Sequence, residues 1–273
     1  MADRATEFTS LDGTLLSGTI ASTEYPQGLA VLVHGAGVTR EEGGFFTRLA
    51  AALAASRIEN LRFDLRGHGD SGGSEQDITI AGVANDIRAA AHHLRARAEA
   101  SSADVPAHLI AASFSGGAAA LVAASYPVLL DKLVLLNPRL DYRARYITSR
   151  PYNRDDYLSE DAARDLDRQG FTEHSPFALG RALLNEVHYL DPSVLLPRIM
   201  ADTLVVHGTK DTFVPIDDSR RLTFEFGGEA ELVELEGAQH GFAVHDDPQY
   251  LAPQTQAWQA EVIARITGFL TAC

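Results

Sequence analysis

Three residue types spread along this chain could together activate a hydroxyl. Two serines stand two apart in AHLIAASFSGGAAALVAASYP, residues 107–127, as Ser113 and Ser115. A serine hydroxyl is a weak nucleophile. It needs a base to take its proton, a third group to orient that base, and N–H donors for the oxyanion that develops. Asp211 in VVHGTKDTFVP supplies an acid and His240 in GAQHGF a base, giving the chain order Ser, Asp, His. Oxyanion donors would come from the backbone of the residue after the nucleophile and from HGAG, residues 34–37, where small side chains let a ligand approach the main chain. His34 and Gly35 also stand where a substrate could touch them. Each reading has a plainer rival. Asp211 could be only a turn residue before Val214 and Pro215, and His245 stands five residues past His240. His34 and His207 each precede a glycine at a strand end, where a structural hydrogen bond is the simpler role.

These residues need elements to bring them together, and each follows a run that reads as a buried strand. LAVLV precedes HGAG, AHLIA precedes Ser113, DTLVV precedes Asp211, and AELVELE precedes His240. Unbroken apolar runs suit strands covered on both faces. EFTSLDGTLLSGTI reads as two short strands turning at Asp12-Gly13, and ENLRF and DKLVLL as two more. Between them lie helical patterns: EEGGFFTRLAAALAASR with Phe46, Leu49, Leu53 and Ala54 in phase, TIAGVANDIRAAAHHLRARA, GGAAALVAASY, and PIDDSRRLTF. The last pattern, PQTQAWQAEVIARITGFL, puts Trp258, Val262, Ile266 and Phe269 on one face. The alternation predicts an α/β fold: a mostly parallel central sheet of about eight strands, right-handed crossovers, helices on both faces, and ligands at the carboxyl ends of the strands.

Residues 140–198 break the alternation. LSEDAARDLDRQG predicts a short helix, with Ser159 as cap, Glu160 and Asp161 at its positive end and Gly170 as its stop. SPFALGRALLNEVHYL predicts another, with Ser175 as cap and Pro176 at the first position. Tyr142, Tyr146, Tyr152, Tyr157, Phe171, Phe177 and Tyr189 crowd this region. It reads as a helical cap inserted after the sixth strand, between core segments 1–139 and 199–273, and covering the active edge of the sheet.

Composition narrows the partners. The chain has 273 residues, 45% of them hydrophobic, and a formal net charge of −14. That charge disfavours nucleic acid and anionic membrane surfaces. The single cysteine is Cys273, so no intrachain disulfide is possible. MADRATEFTS lacks the apolar core of a signal peptide, and no apolar run approaches a membrane span, so a cytoplasmic location is expected. No metal-ligand spacing occurs, and GHGDSGG matches neither a P-loop nor a dinucleotide fingerprint. No metal and no cofactor are expected. His92 and His93 fall on a predicted helix as surface and groove residues. One local feature opposes the global charge: Arg139, Arg143, Arg145, Arg150 and Arg154 crowd a stretch whose one acid before Asp155 is Asp141. Part of it could attract a carboxylate or phosphate on a substrate. Ion pairing with the acidic surface, or with a second subunit in a homodimer, is the plainer account.

In order, HGAG, RFDLRGHGDS, ASFSGG, HGTKDTFVP and GAQHGF resemble the α/β-hydrolase superfamily over nearly the full chain. HGAGVTREEGGFFTRLAAALAASRIENLRFDLRGHGDS is similar to the cinnamoyl- and feruloyl-esterase-like branch. A literal G-x-S-x-G fit favours Ser115, with Ser113 in place of the first glycine. A small-x-Ser-x-small reading, as family members show, favours Ser113, and it leaves strand and helix at their usual lengths. The resemblance implies the α/β-hydrolase fold and hydrolysis of a carboxylic ester or thioester through an acyl-enzyme on Ser113. It implies His240 as base, Asp211 as its partner, and the N–H groups of Ala36 and Phe114 as oxyanion donors. In some family members the acid follows the previous strand, which makes Asp141 the alternative. Asp64 and Arg66 fall in a turn the family uses structurally. The substrate implied is a small apolar or aromatic ester, with Tyr152 and Tyr157 of the cap as candidate contacts. Acyl transfer, lactone, amide or C–C bond cleavage in a specialised biosynthetic pathway, cofactor-free perhydrolysis, and non-catalytic ligand binding are the alternatives on the same scaffold.

Overall fold

Alternate residues of the central strands enter two different cores. In β3 (Gly28–Val33), Leu29, Val31 and Val33 join one apolar cluster, and Ala30 and Leu32 the other. In β5 (Ala107–Ala112), Leu109 and Ala111 face the first and Ile110 and Ala112 the second. Both strands are wholly buried, which is why they read as continuous apolar runs. The computed structural model describes residues 3–99, 105–148, 150, 153–172 and 177–272.

The chain opens with β1 (Asp3–Thr9) and β2 (Leu15–Ala21), followed by β3, β4 (Ile58–Phe63), β5 and β6 (Lys132–Leu136). Two short ladders come next: β7 (Asn153–Arg154) with β8 (Tyr157–Leu158), and β9 (Phe171–Thr172) with β10 (Leu179–Gly180). β11 (Asp202–Gly208) and β12 (Ala230–Leu235) complete an eight-stranded sheet in the order β1-β2-β4-β3-β5-β6-β11-β12. β1 and β2 run antiparallel; the six strands from β4 to β12 in that order are parallel. Register places the site. Val33 pairs with Ala111, Ala112 with Leu136, Leu136 with Val206, and Gly208 with Leu235. The carboxyl ends of β3, β5, β6, β11 and β12 therefore lie side by side, as the alternation of strands and helices predicts.

α1 (Phe45–Ala55) closes the second core together with the last helix, α7 (Pro253–Thr271), through Val262, Ile266 and Leu270. α2 (Ile80–Glu99) and α3 (Ser115–Ser125) cover the first. α4 (Glu160–Gln169) begins and ends as its sequence predicts: the Ala162 N–H donates to Ser159 Oγ, and Gly170 takes φ 83°. α5 (Arg181–Glu186) is far shorter than the helix expected over 175–190. Leu179 and Gly180 instead pair with Thr172 and Phe171, and a Cβ on Gly180 would stand 1.9 Å from Gln76 O. Ser175 and Pro176 lie outside the described residues. A 3-10 turn, Pro192–Arg198, then leads into β11, and α6 (Ile216–Leu222) follows it. Tyr142, Tyr146, Phe177, Leu183, Val187 and Leu196 of the middle stretch belong to the same cluster as α2 and α3, so this segment packs as an extension of the first core. Among the described residues no helix is long and apolar enough to cross a membrane.

Candidate active site

Ser113 stands between the end of β5 and the start of α3, at φ 51°. A non-glycine residue at positive φ is uncommon, and it persists where surrounding structure fixes it. Here the Ser113 N–H donates to Leu136 O (2.8 Å), and its carbonyl accepts from the Gly116 N–H (3.0 Å) and the Arg139 N–H (2.9 Å). The Tyr142 hydroxyl adds a clamp: it donates to Phe114 O and accepts from the Gly117 N–H (3.1 Å). Gly117 must be glycine for this, since a Cβ there would lie 2.2 Å from the Tyr142 ring. Ser115 is fully buried, and its hydroxyl donates to His34 O (2.6 Å). It bolts α3 to the loop after β3 and faces no cavity, whereas Ser113 Oγ–H donates to His240 Nε2 (2.9 Å).

His240 Nδ1–H donates to Asp211 Oδ2 at 2.6 Å. The other oxygen of Asp211 accepts from the N–H groups of Phe213 (2.8 Å) and Val214 (2.9 Å), an Asx-type turn that fixes the carboxylate. His207 Nε2 approaches Asp211 Oδ2 at 3.4 Å from the buried side. Burial alone would raise this carboxyl. Hydrogen bonds from His207 and His240, the charge of His240 and the Val214 N–H together outweigh it, and hold Asp211 well below the usual carboxylate range. Asp141 lies elsewhere, its carboxylate accepting from the Ala144 N–H (2.8 Å). His245 lines the same cavity but pairs with Asp246 at its rim (3.5 Å).

The loop after β3 is tied down by hydrogen bonds at His34, Gly35 and Gly37. The Leu65 N–H donates to His34 Nε2 (2.9 Å), so the proton sits on Nδ1 and is given to Gly35 O (2.6 Å). Gly35 N–H donates to Glu42 (3.1 Å), and Gly37 N–H to His68 Nε2 (2.9 Å). Only the Ala36 N–H between them lacks an intramolecular acceptor among the described residues, and so does the Phe114 N–H across the cavity. Both residues line that cavity beside Ser113. Burial pushes the Glu42 carboxyl up to about 7, with the Gly35 N–H and the charge of His240 pulling the other way.

The cavity holds about 520 Å³, with Ser113 and His240 in its wall. Phe213 stands 5.2 Å from the His240 ring, and Tyr146 and Tyr250 add further aromatic lining. Several sequence expectations need correction. His34 is fully buried and touches no ligand space; desolvation holds its imidazole down at about 3. Gly35 lies behind Ser113, where a Cβ would come within 3.1 Å of Ser113 Cβ, so it supports the serine rather than lining the cavity. Tyr157 is 80% exposed and borders a different groove with Asp155 and Asp156, because the β7–β8 hairpin turns its side chain outward. Tyr152 lies outside the described residues. Asp64 is structural as expected: it accepts from the N–H groups of Arg40 (2.7 Å) and Asp70 (3.0 Å). Arg66 likewise holds Asp86 through two hydrogen bonds (2.9 and 2.6 Å). Sequence reasoning missed Tyr142, Glu42, Phe213 and Tyr250. Residue type gave no sign of which aromatic rings would turn inward.

The structure resembles the ferulic acid complex of Est1E from Butyrivibrio proteoclasticus, with a TM-score of 0.72, 18% identity, and 96% and 99% of the two chains covered. It also resembles an esterase from Pyrococcus furiosus, with a TM-score of 0.70, 17% identity and 98% and 90% coverage. Alpha/beta hydrolase domain-containing protein 10 from mouse matches with a TM-score of 0.70, 14% identity and 98% coverage of each chain. Identities this low carry the fold alone. The model of the alpha/beta hydrolase family matches residues 30–254, and with that span covered the chain belongs to the alpha/beta hydrolase family.

Proposed function

We propose that this chain is a serine hydrolase that cleaves a carboxylic ester or thioester of a small apolar or aromatic compound. The observation that carries this reading is the unbroken relay from Ser113 Oγ through His240 to Asp211, at 2.9 and 2.6 Å, opening on a cavity. Ser113 Oγ attacks the acyl carbon while His240 Nε2 takes the hydroxyl proton. Asp211 keeps the Nδ1 proton in place and stabilises the imidazolium. The tetrahedral oxyanion is received by the N–H groups of Ala36 and Phe114, which have no other acceptor among the described residues. His240 then returns the proton to the leaving oxygen or sulfur as that bond breaks. Water, deprotonated by His240, attacks the acyl-enzyme and frees the acid and Ser113. Segment 140–198 serves as the cap that closes the acyl pocket. The ferulic acid in the Est1E structure and the aromatic lining here support an aromatic substrate.

The test is intact-mass analysis after treatment with a fluorophosphonate, followed by peptide mapping. One adduct on Ser113, absent in Ser113→Ala, is expected. An adduct on Ser115, or hydrolysis that survives Ser113→Ala, overturns the reading. Asp211→Asn should lower kcat roughly 10⁴-fold, as in other triads.

A further inference from the structure

Among the described residues two arginines of the cavity wall have no carboxylate partner, and we propose that Arg139 and Arg145 form a subsite for a carboxylate on the substrate. This rests on the hydrolase reading and narrows it: the preferred ester bears a free carboxylate on its acyl or alcohol part.

Arg139 is 7% exposed and Arg145 half-buried, and both line the cavity that holds Ser113 and His240. Arg139 Nη2 donates to Phe213 O. Neither arginine forms an ion pair among the described residues, although the chain carries 37 acidic residues against 23 basic ones. A buried cation without a partner is costly. The nearby acids are already engaged. Asp211 is occupied by His240, His207 and the N–H groups of Phe213 and Val214. Asp247 accepts from the N–H groups of Leu251 (2.9 Å) and Ala252 (3.0 Å), and Asp246 faces His245 at the exposed rim.

The other arginines of the run are spent differently. Arg143 pairs with Asp156 at 2.5 Å, and Arg150 Nε donates to Arg145 O at 2.6 Å. The Arg154 side chain lies outside the described residues. The fold thus turns two cations of the run to the cavity, where burial and then the charge of Arg145 disfavour the charge on Arg139 while Tyr146, Tyr142 and Asp211 pull the other way, and among the described residues no carboxylate pairs with either. A planar carboxylate matches the guanidinium fork and removes both penalties.

The experiment compares 4-nitrophenyl half-esters of succinate, glutarate and adipate with the same compounds capped as neutral methyl esters. For at least one chain length the ratio of kcat/KM, charged over neutral, should be about tenfold or more, the effect of one charge-assisted hydrogen bond. That ratio should fall about tenfold in Arg145→Gln and in Arg139→Gln, and fall with added salt. A wild-type ratio at or below one, or a ratio unchanged in both variants, overturns the subsite. Arg139→Gln also removes the bond to Phe213, so Arg145→Gln, checked for native circular dichroism, decides if the other variant misfolds. Calorimetric titration with glutarate gives a readout free of turnover. Binding weakened about tenfold in Arg145→Gln supports the subsite even where no ester is cleaved, a pattern that would sink the hydrolase reading instead. Cleavage of neutral esters without glutarate binding or charge preference sinks the subsite and keeps the hydrolase.

Discussion

The Tyr142 hydroxyl does at one point what the whole β5–α3 turn requires. It takes the Gly117 N–H and gives its proton to Phe114 O, satisfying two buried backbone groups beside Ser113. Tyr142→Phe keeps the ring and its edge-on contact with Phe114 at 5.4 Å but strands the buried Gly117 N–H, while Phe114 O keeps the first N–H of α3. Leaving a buried donor or acceptor unpaired costs about 1–3 kcal/mol. Urea unfolding should show a loss in that range, and kcat should fall because the turn that carries Ser113 and the Phe114 N–H loses its clamp. A loss near zero would mean that water replaces the hydroxyl. At this scale the sequence was informative about chemistry and poor about direction. Ser113, Asp211 and His240 follow from residue type and from their places after apolar strands. The choice between Ser113 and Ser115 rested on spacing, and what separates them physically is a single hydrogen bond from Ser115 to His34 O. Tyr146 and Tyr157 look alike in the sequence; one lines the cavity and the other faces solvent.

Elements were legible where burial on two faces imposes a pattern, and illegible where packing between short pieces decides. β3, β5, β6 and β11 and the helices α1, α2, α3 and α7 follow from apolar runs and periodicity, whereas β1, mostly exposed, and β2 follow from the turn at Asp12-Gly13. Residues 171–190 do not: a two-residue ladder and a glycine pressed against Gln76 cut the expected helix to six residues. The docking of that short helix has its own logic. Glu186 at the end of α5 accepts from the Ile80 N–H (2.6 Å) and the Ala81 N–H (3.0 Å), so it caps a core helix from outside. Thr79 Oγ1 takes the Gly82 N–H (2.9 Å) from the other side. Burial raises the Glu186 carboxyl, and the two N–H groups hold it back. Removing this cap should cost about 1–2 kcal/mol. Glu186→Ala, followed by urea unfolding and by hydrogen exchange at Ile80 and Ala81, should show that loss with faster exchange at those two amides. Unchanged exchange there would show that Thr79 suffices.

Across the whole molecule, buried titratable groups set opposing trends with pH. Desolvation holds His34 at about 3 and His108 at about 4, against 6.5 for an unperturbed imidazole. Such groups contribute fully above about pH 6.5, and that stability is lost as pH falls toward the folded values. Between about pH 8 and about pH 5 each histidine should cost about 2 kcal/mol, so about 4 kcal/mol together. Glu42 runs the other way. Its carboxyl is lifted from 4.5 to about 7, so its protonated form is favoured by folding, and its contribution is full below about pH 4.5 and lost as pH climbs through 7. Acidification over the same range should return about 2.5 kcal/mol from this one site. Together these three sites should therefore cost the wild-type protein only about 1–2 kcal/mol on going from about pH 8 to about pH 5, because the two trends oppose. Glu42→Gln keeps an oxygen for the Gly35 N–H and removes the titration. Its stability should fall about 2.5 kcal/mol more than that of the wild type over the same range, so urea midpoints of the two proteins should diverge with pH. Parallel curves would place the Glu42 carboxyl in a far more polar setting than the loop after β3 provides.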